Sequence, residues 1–288
     1  MTILVTGATG KLGALVVEHL LASVPAKELA VSVRQPEKAA GLLAKGVDVR
    51  YGDFDKPESL TAAFAGIDRL LIVSADGDND TRIRQHGNAV EAAKRAGVGF
   101  IAYTSLANAA ESANFLAPVH RYTEEAIRNT GIPYAFLRNN WYLENETSSI
   151  QAVLGGAPWL TSAGSGKVGW AARNDYAQAA AAVLTGEGHA NRTYELSGKP
   201  LTQAEFAAVV AGVLGREVPV QQVDDAAYGE IMAGAGVPEA VVPFLIAIQA
   251  GIRSGSLDIE SGDLEQLLGR PAETAAAAVR RIVNGLAD

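Results

Sequence analysis

Cysteine is absent from all 288 positions, so disulfides, thiolate metal ligands and a cysteine nucleophile are excluded, a composition that suits a reducing compartment. Clustered positive charge is lacking too. The 24 lysines and arginines are outnumbered by 32 acidic residues scattered along the chain, and the net charge of −8 argues against nucleic acid or an anionic membrane as partner. No apolar stretch is long enough to span a bilayer and no targeting segment is visible before Ile3, so the expectation is a cytoplasmic protein. No metal is expected. His19, His86 and His189 fall in separate segments without ligand spacing, and the Asp76 to Asp80 loop lacks the distal glutamate of a calcium site. Ser105 has no G-x-S-x-G elbow to make it a nucleophile. The 48% hydrophobic content is ample for one large α/β domain or a nucleotide domain with a smaller lobe.

What is present is concentrated at the start. Ile3, Leu4 and Val5 form an apolar run, Gly7, Gly10 and Gly13 recur every third residue, and Leu15, Val16 and Leu20 follow in helical spacing. That pattern predicts a buried strand, a tight turn and a helix. Glycines let the turn close and the backbone approach a pyrophosphate, while free N–H groups at the helix N-terminus face its negative charge. Thr6, Gly7, Thr9, Gly10, Lys11, Leu12 and Gly13 are therefore the first candidate cofactor residues. A glycine-softened strand-to-helix turn without a ligand is the alternative.

A second strand, Leu29 to Val33, ends at Arg34, where an acidic residue would bind the ribose hydroxyls of NAD and an arginine can pair with the 2′-phosphate of NADP. Lys38, on a helix opened by Pro36, is placed to converge on the same phosphate, so NADP is expected. After the third strand, Val47 to Tyr51, Asp53 and Phe54 fall where an adenine edge would lie. Asp53 either accepts from the adenine amino group or caps the Pro57 to Phe64 helix. The continuous apolar run Arg69 to Val73 places Ser74 at a strand end near the cofactor ribose, and Gly99 to Tyr103 leads to Thr104. Helices are expected over Arg84 to Ala96 and Pro118 to Asn129. The sixth strand, Pro133 to Leu137, runs into Arg138, Asn139, Asn140, Trp141 and Tyr142, a cluster of polar donors and large aromatics. Regular alternation of strand and helix predicts a doubly wound parallel sheet of Rossmann type with cofactor at the strand C-termini.

Residues 1–145 read as the dinucleotide domain and 146–288 as a smaller, mostly helical substrate lobe, with Arg192 to Leu196 as a strand that returns to the main sheet. Helices are expected over Asp175 to Leu184, Thr202 to Leu214, Ala226 to Ala233, Pro238 to Ser254 and Ala272 to Leu286, with a strand at Val218 to Val223. Arg173 and Asp175 read as an N-cap and an ion pair.

Thr6-Gly-Ala-Thr-Gly-Lys-Leu-Gly13, Val33-Arg34, Gly52-Asp-Phe54, Ile101-Ala-Tyr-Thr-Ser105, Gly131-Ile-Pro-Tyr134 and Leu137-Arg-Asn-Asn-Trp-Tyr142 together resemble the NmrA-like atypical short-chain dehydrogenases. Within them the likeness is greatest to the type 2 NAD(P)H:quinone oxidoreductases and the triphenylmethane reductases, and it extends over nearly the whole chain. The resemblance implies NADPH across the glycine turn, Arg34 near the 2′-phosphate and a quinone pocket beside Asn139 to Tyr142. Carbonyl-reducing short-chain dehydrogenases use a Tyr-x-x-x-Lys pair, yet no lysine occurs between Arg95 and Gly166. His120, with Glu124 four residues on, stands on the helix that should carry the pair, as a weak acid, a binder of ribose or substrate, or a histidine without a role. A quinone accepts hydride readily and leaves a weakly basic oxyanion, so positioning can do most of the work. Asn139, Tyr142 and His120 are the candidate catalytic residues, Trp141 lines the pocket and Asn140 contacts an amide or ribose. Turnover of a triphenylmethane-type dye, or an NADP-binding sensor without turnover, are the alternatives; a homodimer is left open.

Overall fold

The computed structural model describes residues 1–287. The chain runs β1 (Ile3–Thr6), α1 (Lys11–Leu21), β2 (Leu29–Val33), α2 (Ala40–Ala44), β3 (Asp48–Tyr51), α3 (Pro57–Ala63), β4 (Arg69–Ile72), α4 (Asn79–Ala96), β5 (Phe100–Leu106), α5 (Ala117–Thr130) and β6 (Tyr134–Asn139). It continues through α6 (Thr147–Leu154), β7 (Trp159–Thr161), β8 (Lys167–Val168), α7 (Arg173–Thr185), β9 (Arg192–Leu196), β10 (Leu201–Thr202) and α8 (Gln203–Leu214). Last come β11 (Val220–Gln222), α9 (Asp225–Gly234), α10 (Val242–Arg253), α11 (Asp263–Leu268) and α12 (Ala275–Ala287).

Seven parallel strands form the main sheet in the order β3-β2-β1-β4-β5-β6-β9, so the expected return of Arg192 to Leu196 is met. Side-chain alternation explains why these runs are apolar throughout. Ile3, Val5, Val31 and Leu71 point to one face, under α1, α7 and α11, whereas Leu4, Ala30, Leu70 and Ile72 point to the other, under α3, α4 and α5. Both faces are therefore dry. A third apolar cluster, with Trp159, Trp170, Phe206, Ile248 and Val279, joins α6, α8, α10 and α12 beside two small sheets, β7 with β11 and β8 with β10.

Several sequence boundaries move. Helix α4 begins at Asn79, well before Arg84, because the Asp78 carboxylate accepts from Thr81 N–H and caps it. The turn at Pro36 is a 3-10 turn over Pro36–Ala39, followed by the short α2. Asp53 does not cap α3, whose N-cap is Lys56; its Oδ1 instead accepts from Asp55 N–H at 3.0 Å and closes a local turn. Arg173 and Asp175 do not pair. Ala172 is the N-cap of α7, and Asp175 bonds Arg270 at 2.7 Å while accepting from Glu273 N–H.

Candidate active site

The glycine turn fits a dinucleotide on its own geometry. Gly7 has a φ of +62° and its carbonyl accepts from Gly10 N–H at 2.9 Å, which folds the chain back between β1 and α1. A Cβ on Gly13 would lie 2.2 Å from that carbonyl oxygen, so helix and turn touch only because it is missing. Helix α1 has Gly10 as N-cap, no side-chain cap bond and no acidic residue in its first turn. Its free N–H groups and dipole thus await an external anion. Thr9 and Lys11 are exposed there, whereas Leu12 is buried in the core and contributes backbone alone.

A cleft of about 510 Å³ runs from Ala8 and Thr9 past Lys38 to Leu42 and Lys45. Lys45 is a second cation on this cleft that sequence reasoning missed, because it lies beyond the motif and reads as an ordinary surface charge. Arg34 is exposed at the end of β2, outside that lining, and forms no ion pair among the described residues. Its charge helps hold the Asp55 carboxyl low, behind the hydrogen bonds from Arg84 and Gln85.

Three predicted cofactor residues, Thr6, Ser74 and Thr104, form latches between strand ends. The buried Thr6 hydroxyl donates to Leu71 O and accepts from Val73 N–H, and Thr104 Oγ1 accepts from Ser74 N–H while donating to Ser74 Oγ. They lock β1, β4 and β5 at the edge where a ligand would lie. Phe54 packs edge-on to His86 with ring centres 6.5 Å apart, and its carbonyl accepts from Asn88.

His120, read from the sequence as a weak acid, a binder of ribose or substrate, or a helix histidine without a role, is buried. It is 4% exposed, and each ring nitrogen is engaged. Arg82 Nη2 can act solely as a donor, and it lies 3.2 Å from His120 Nε2, so the proton of that ring sits on Nδ1, 2.8 Å from Tyr103 OH. Ala75 N–H donates to His86 Nε2, which puts the His86 proton on Nδ1 facing Thr123 Oγ1 at 2.9 Å, and Thr123 in turn donates to Val119 O. Both tautomers are fixed by their neighbours. Burial first, and the Arg82 charge second, push His86 down to about 3 and His120 well below the ordinary value. Arg82 itself is 6% exposed with its Nε unpartnered. Sequence missed it, since a helical arginine is normally exposed.

These histidines must charge on unfolding, so the unfolded chain binds more protons below pH 6.5 and stability falls as pH drops. The decline should begin near pH 6.5 and steepen to about 1.4 kcal/mol per pH unit for each histidine, continuing toward the folded value near 3 for His86. Urea unfolding between pH 7 and 4.5 checks this; a flat profile would contradict buried neutral rings.

At the C-terminal end of β6, Asn139 is 5% exposed, its Nδ2 donates to Tyr142 OH at 3.1 Å, and its Oδ1 is buried without a donor. Tyr142 is half-buried between Tyr176, edge-on at 5.2 Å, and the Arg173 guanidinium, 5.0 Å from its ring centre. Burial raises the phenol's pKa, as does the nearby Asp76. Asn140 is different: its Nδ2 donates to Ser197 Oγ and Leu257 O and its Oδ1 accepts from Trp141 N–H, so its amide is spent within the protein. It brackets β6 to more distant segments and has no group left for an amide or ribose. Trp141 turns the other way and donates its indole N–H to Glu146. Below this edge, Arg138 forms a forked pair with Glu124 at 2.8 and 2.7 Å and reaches Glu195 at 2.9 Å.

A doubly wound sheet with an uncapped glycine-turn helix and a polar strand edge defines a dinucleotide-binding protein of the reductase type. Residues 7–187 match the NAD(P)H-binding family, and the chain belongs to it. It is 39% identical to quinone oxidoreductase 2 of Escherichia coli over 98% of this chain and 99% of that protein. Among solved structures it matches triphenylmethane reductase of Citrobacter sp. complexed with NADP(H) with a TM-score of 0.94 and 44% identity, covering 98% of this chain and all of that one. The E. coli NADPH-dependent quinone oxidoreductase complexed with NADPH gives a TM-score of 0.93 at 38% identity, covering 98% and 100%. These matches bear out the resemblance read from the motifs and the expected cofactor class.

Proposed function

We propose that this protein catalyses hydride transfer from NADPH to a quinone or similar electrophilic aromatic acceptor in the cytoplasm, with residues 146–288 supplying most of the acceptor lobe. The coenzyme, when bound, supplies the hydride. Support comes from the relatives, a quinone oxidoreductase and a triphenylmethane reductase, and above all from one observation. The two residues spaced as a Tyr-x-x-x-Lys pair would be, His120 and Glu124, are both buried and fully engaged, so neither can serve as a proton donor. An acceptor whose reduced form needs no enzymic acid matches that arrangement. The first-turn N–H groups of α1 would hold the pyrophosphate, and Arg34 and Lys38 the 2′-phosphate. Asn139 fixes the Tyr142 hydroxyl, so the two set the floor on which a flat acceptor rests.

NADPH oxidation followed by absorbance with benzoquinone, naphthoquinone and triphenylmethane acceptors tests the reading. Tyr142→Ala and Asn139→Ala should raise the acceptor KM or lower kcat about tenfold, the worth of one hydrogen bond, while NADPH affinity is retained. Unchanged kinetics in both would remove this edge from the site. The same locked histidines favour a second reading, an NADP-binding sensor, and tight NADP binding without turnover of any acceptor would select it. Coenzyme choice has its own check: Arg34→Ala should weaken NADPH binding about 10- to 100-fold and leave NADH unaffected, as expected for loss of a charge-assisted phosphate contact. Equal losses for both coenzymes would place Arg34 elsewhere.

A further inference from the structure

One helix holds the loop that follows β3 at three points. Arg84 Nη1 donates to Asp55 Oδ1 at 2.6 Å, Gln85 Nε2 donates to Asp55 Oδ2 at 3.0 Å, and Asn88 Nδ2 donates to Phe54 O at 2.8 Å. Consecutive residues of α4 thus occupy both oxygens of the Asp55 carboxylate. Phe54 is anchored already by Asn88 and by the edge of its ring against His86, so the bonds to Asp55 also decide where a charge is kept.

Arg34 leaves the sheet beside this loop. Val33 pairs with Tyr51, and Gly52 N–H donates to Val33 O at 3.1 Å, so the residue after β2 and the loop after β3 start from adjacent points on one sheet edge. The Arg34 charge adds to the hydrogen bonds from Arg84 and Gln85 that hold the Asp55 carboxyl low. Even so, Asp55 pairs with Arg84, and Arg34 and Asp55 form no ion pair with each other. Asp53, the other acid of the loop, is engaged locally: its Oδ1 accepts from Asp55 N–H, and its charge acts on Lys56. A carboxylate left loose beside Arg34 would compete for the guanidinium fork and repel a phosphate placed there.

We propose that Arg84 and Gln85 are coenzyme-specificity residues that act through Asp55: they occupy both of its oxygens, Arg84 balances its charge, and the Arg34 guanidinium is left free for a 2′-phosphate. The proposal rests on the assignment of Arg34 made above. Arg84 and Gln85 are positioning residues in this scheme. NADH, which lacks that phosphate, is indifferent to the arrangement.

Calorimetric titration of the full chain with NADPH and with NADH reads the effect in Arg84→Met, Asp55→Asn and the double variant. The Asp55 and Arg84 charges balance in the parent. They leave one negative charge in Arg84→Met and one positive charge in Asp55→Asn, and none in the double variant. NADPH affinity should therefore fall about three- to fivefold in Arg84→Met at about 20 mM salt, hold or rise in Asp55→Asn, and return to within about 1.5-fold of the parent in the double variant. NADH affinity should stay within about 1.5-fold throughout. The effect has the size of an exposed pair, since 55% of the Arg84 side chain and 44% of that of Asp55 are open to solvent, and it should fade at about 0.5 M salt. A loop merely loosened by losing Arg84 would give equal losses for both coenzymes that Asp55→Asn does not repair. That pattern, or unchanged NADPH affinity in Arg84→Met, overturns the proposal and leaves Arg34 in place. If Arg34→Ala leaves NADPH binding intact, the phosphate assignment itself fails and the proposal falls with it.

Discussion

Gly13→Ala should lower affinity for NADPH by at least about 100-fold, the penalty expected when binding groups are displaced by roughly an ångström. The added Cβ would sit 2.2 Å from Gly7 O and 2.7 Å from Gly7 C, far inside contact distance. Gly7 cannot yield. Its positive φ and the bond from Gly10 N–H to its carbonyl fix the turn, and Val73 borders it at 3.5 Å from an added Cβ. Helix α1 must then move away from β1, carrying its first-turn N–H groups with it. Titration calorimetry measures the loss, circular dichroism confirms that the chain folds, and Gly212→Ala in α8, which meets nothing within 4 Å, is the control. Affinity within about threefold of the parent would mean that the anion is held elsewhere.

Arg138→Met should destabilise the protein by about 3–5 kcal/mol, the cost of stranding a buried charge. Glu124 is 2% exposed and accepts from Arg138 Nε, Arg138 Nη2, Ser105 and Arg128. Arg138 Nη1 extends the network to Glu195, whose second oxygen accepts from Asn108 N–H at 2.9 Å. The ends of β5, β6 and β9 and the loop after β5 thus share one guanidinium. In a chain of this size the melting temperature should drop by about 10 °C. The paired change Arg138→Met with Glu124→Leu should recover most of the loss, because it leaves no carboxylate stranded at position 124. A single mutant that melts with the parent would show the network to be dispensable.

Local signals carried the nucleotide half of the molecule into view. Glycine spacing, apolar strands and the regular alternation with helices are all encoded within a few residues of one another, and the sheet followed them. Elements defined by distant partners did not show. Strands β7, β8 and β10 are two or three residues long and exist through pairing with segments tens of residues away, and α11 is a six-residue helix with little periodicity to read. The site followed the same rule. Asn139 and Tyr142 were visible as a strand-end cluster, but nothing near Asn140 announced Ser197 and Leu257, nor near Glu146 the indole of Trp170. His120 was seen as a singular residue, yet its tautomer is set by Arg82, 38 positions earlier.

The chain does not finish the sheet before building the rest. It leaves after β6, returns for α7 and β9, departs again through α8, α9 and α10, and comes back with α11 against α7 before α12 packs on α8. Such braiding leaves no single hinge about which one half could swing, since several crossings would have to bend together.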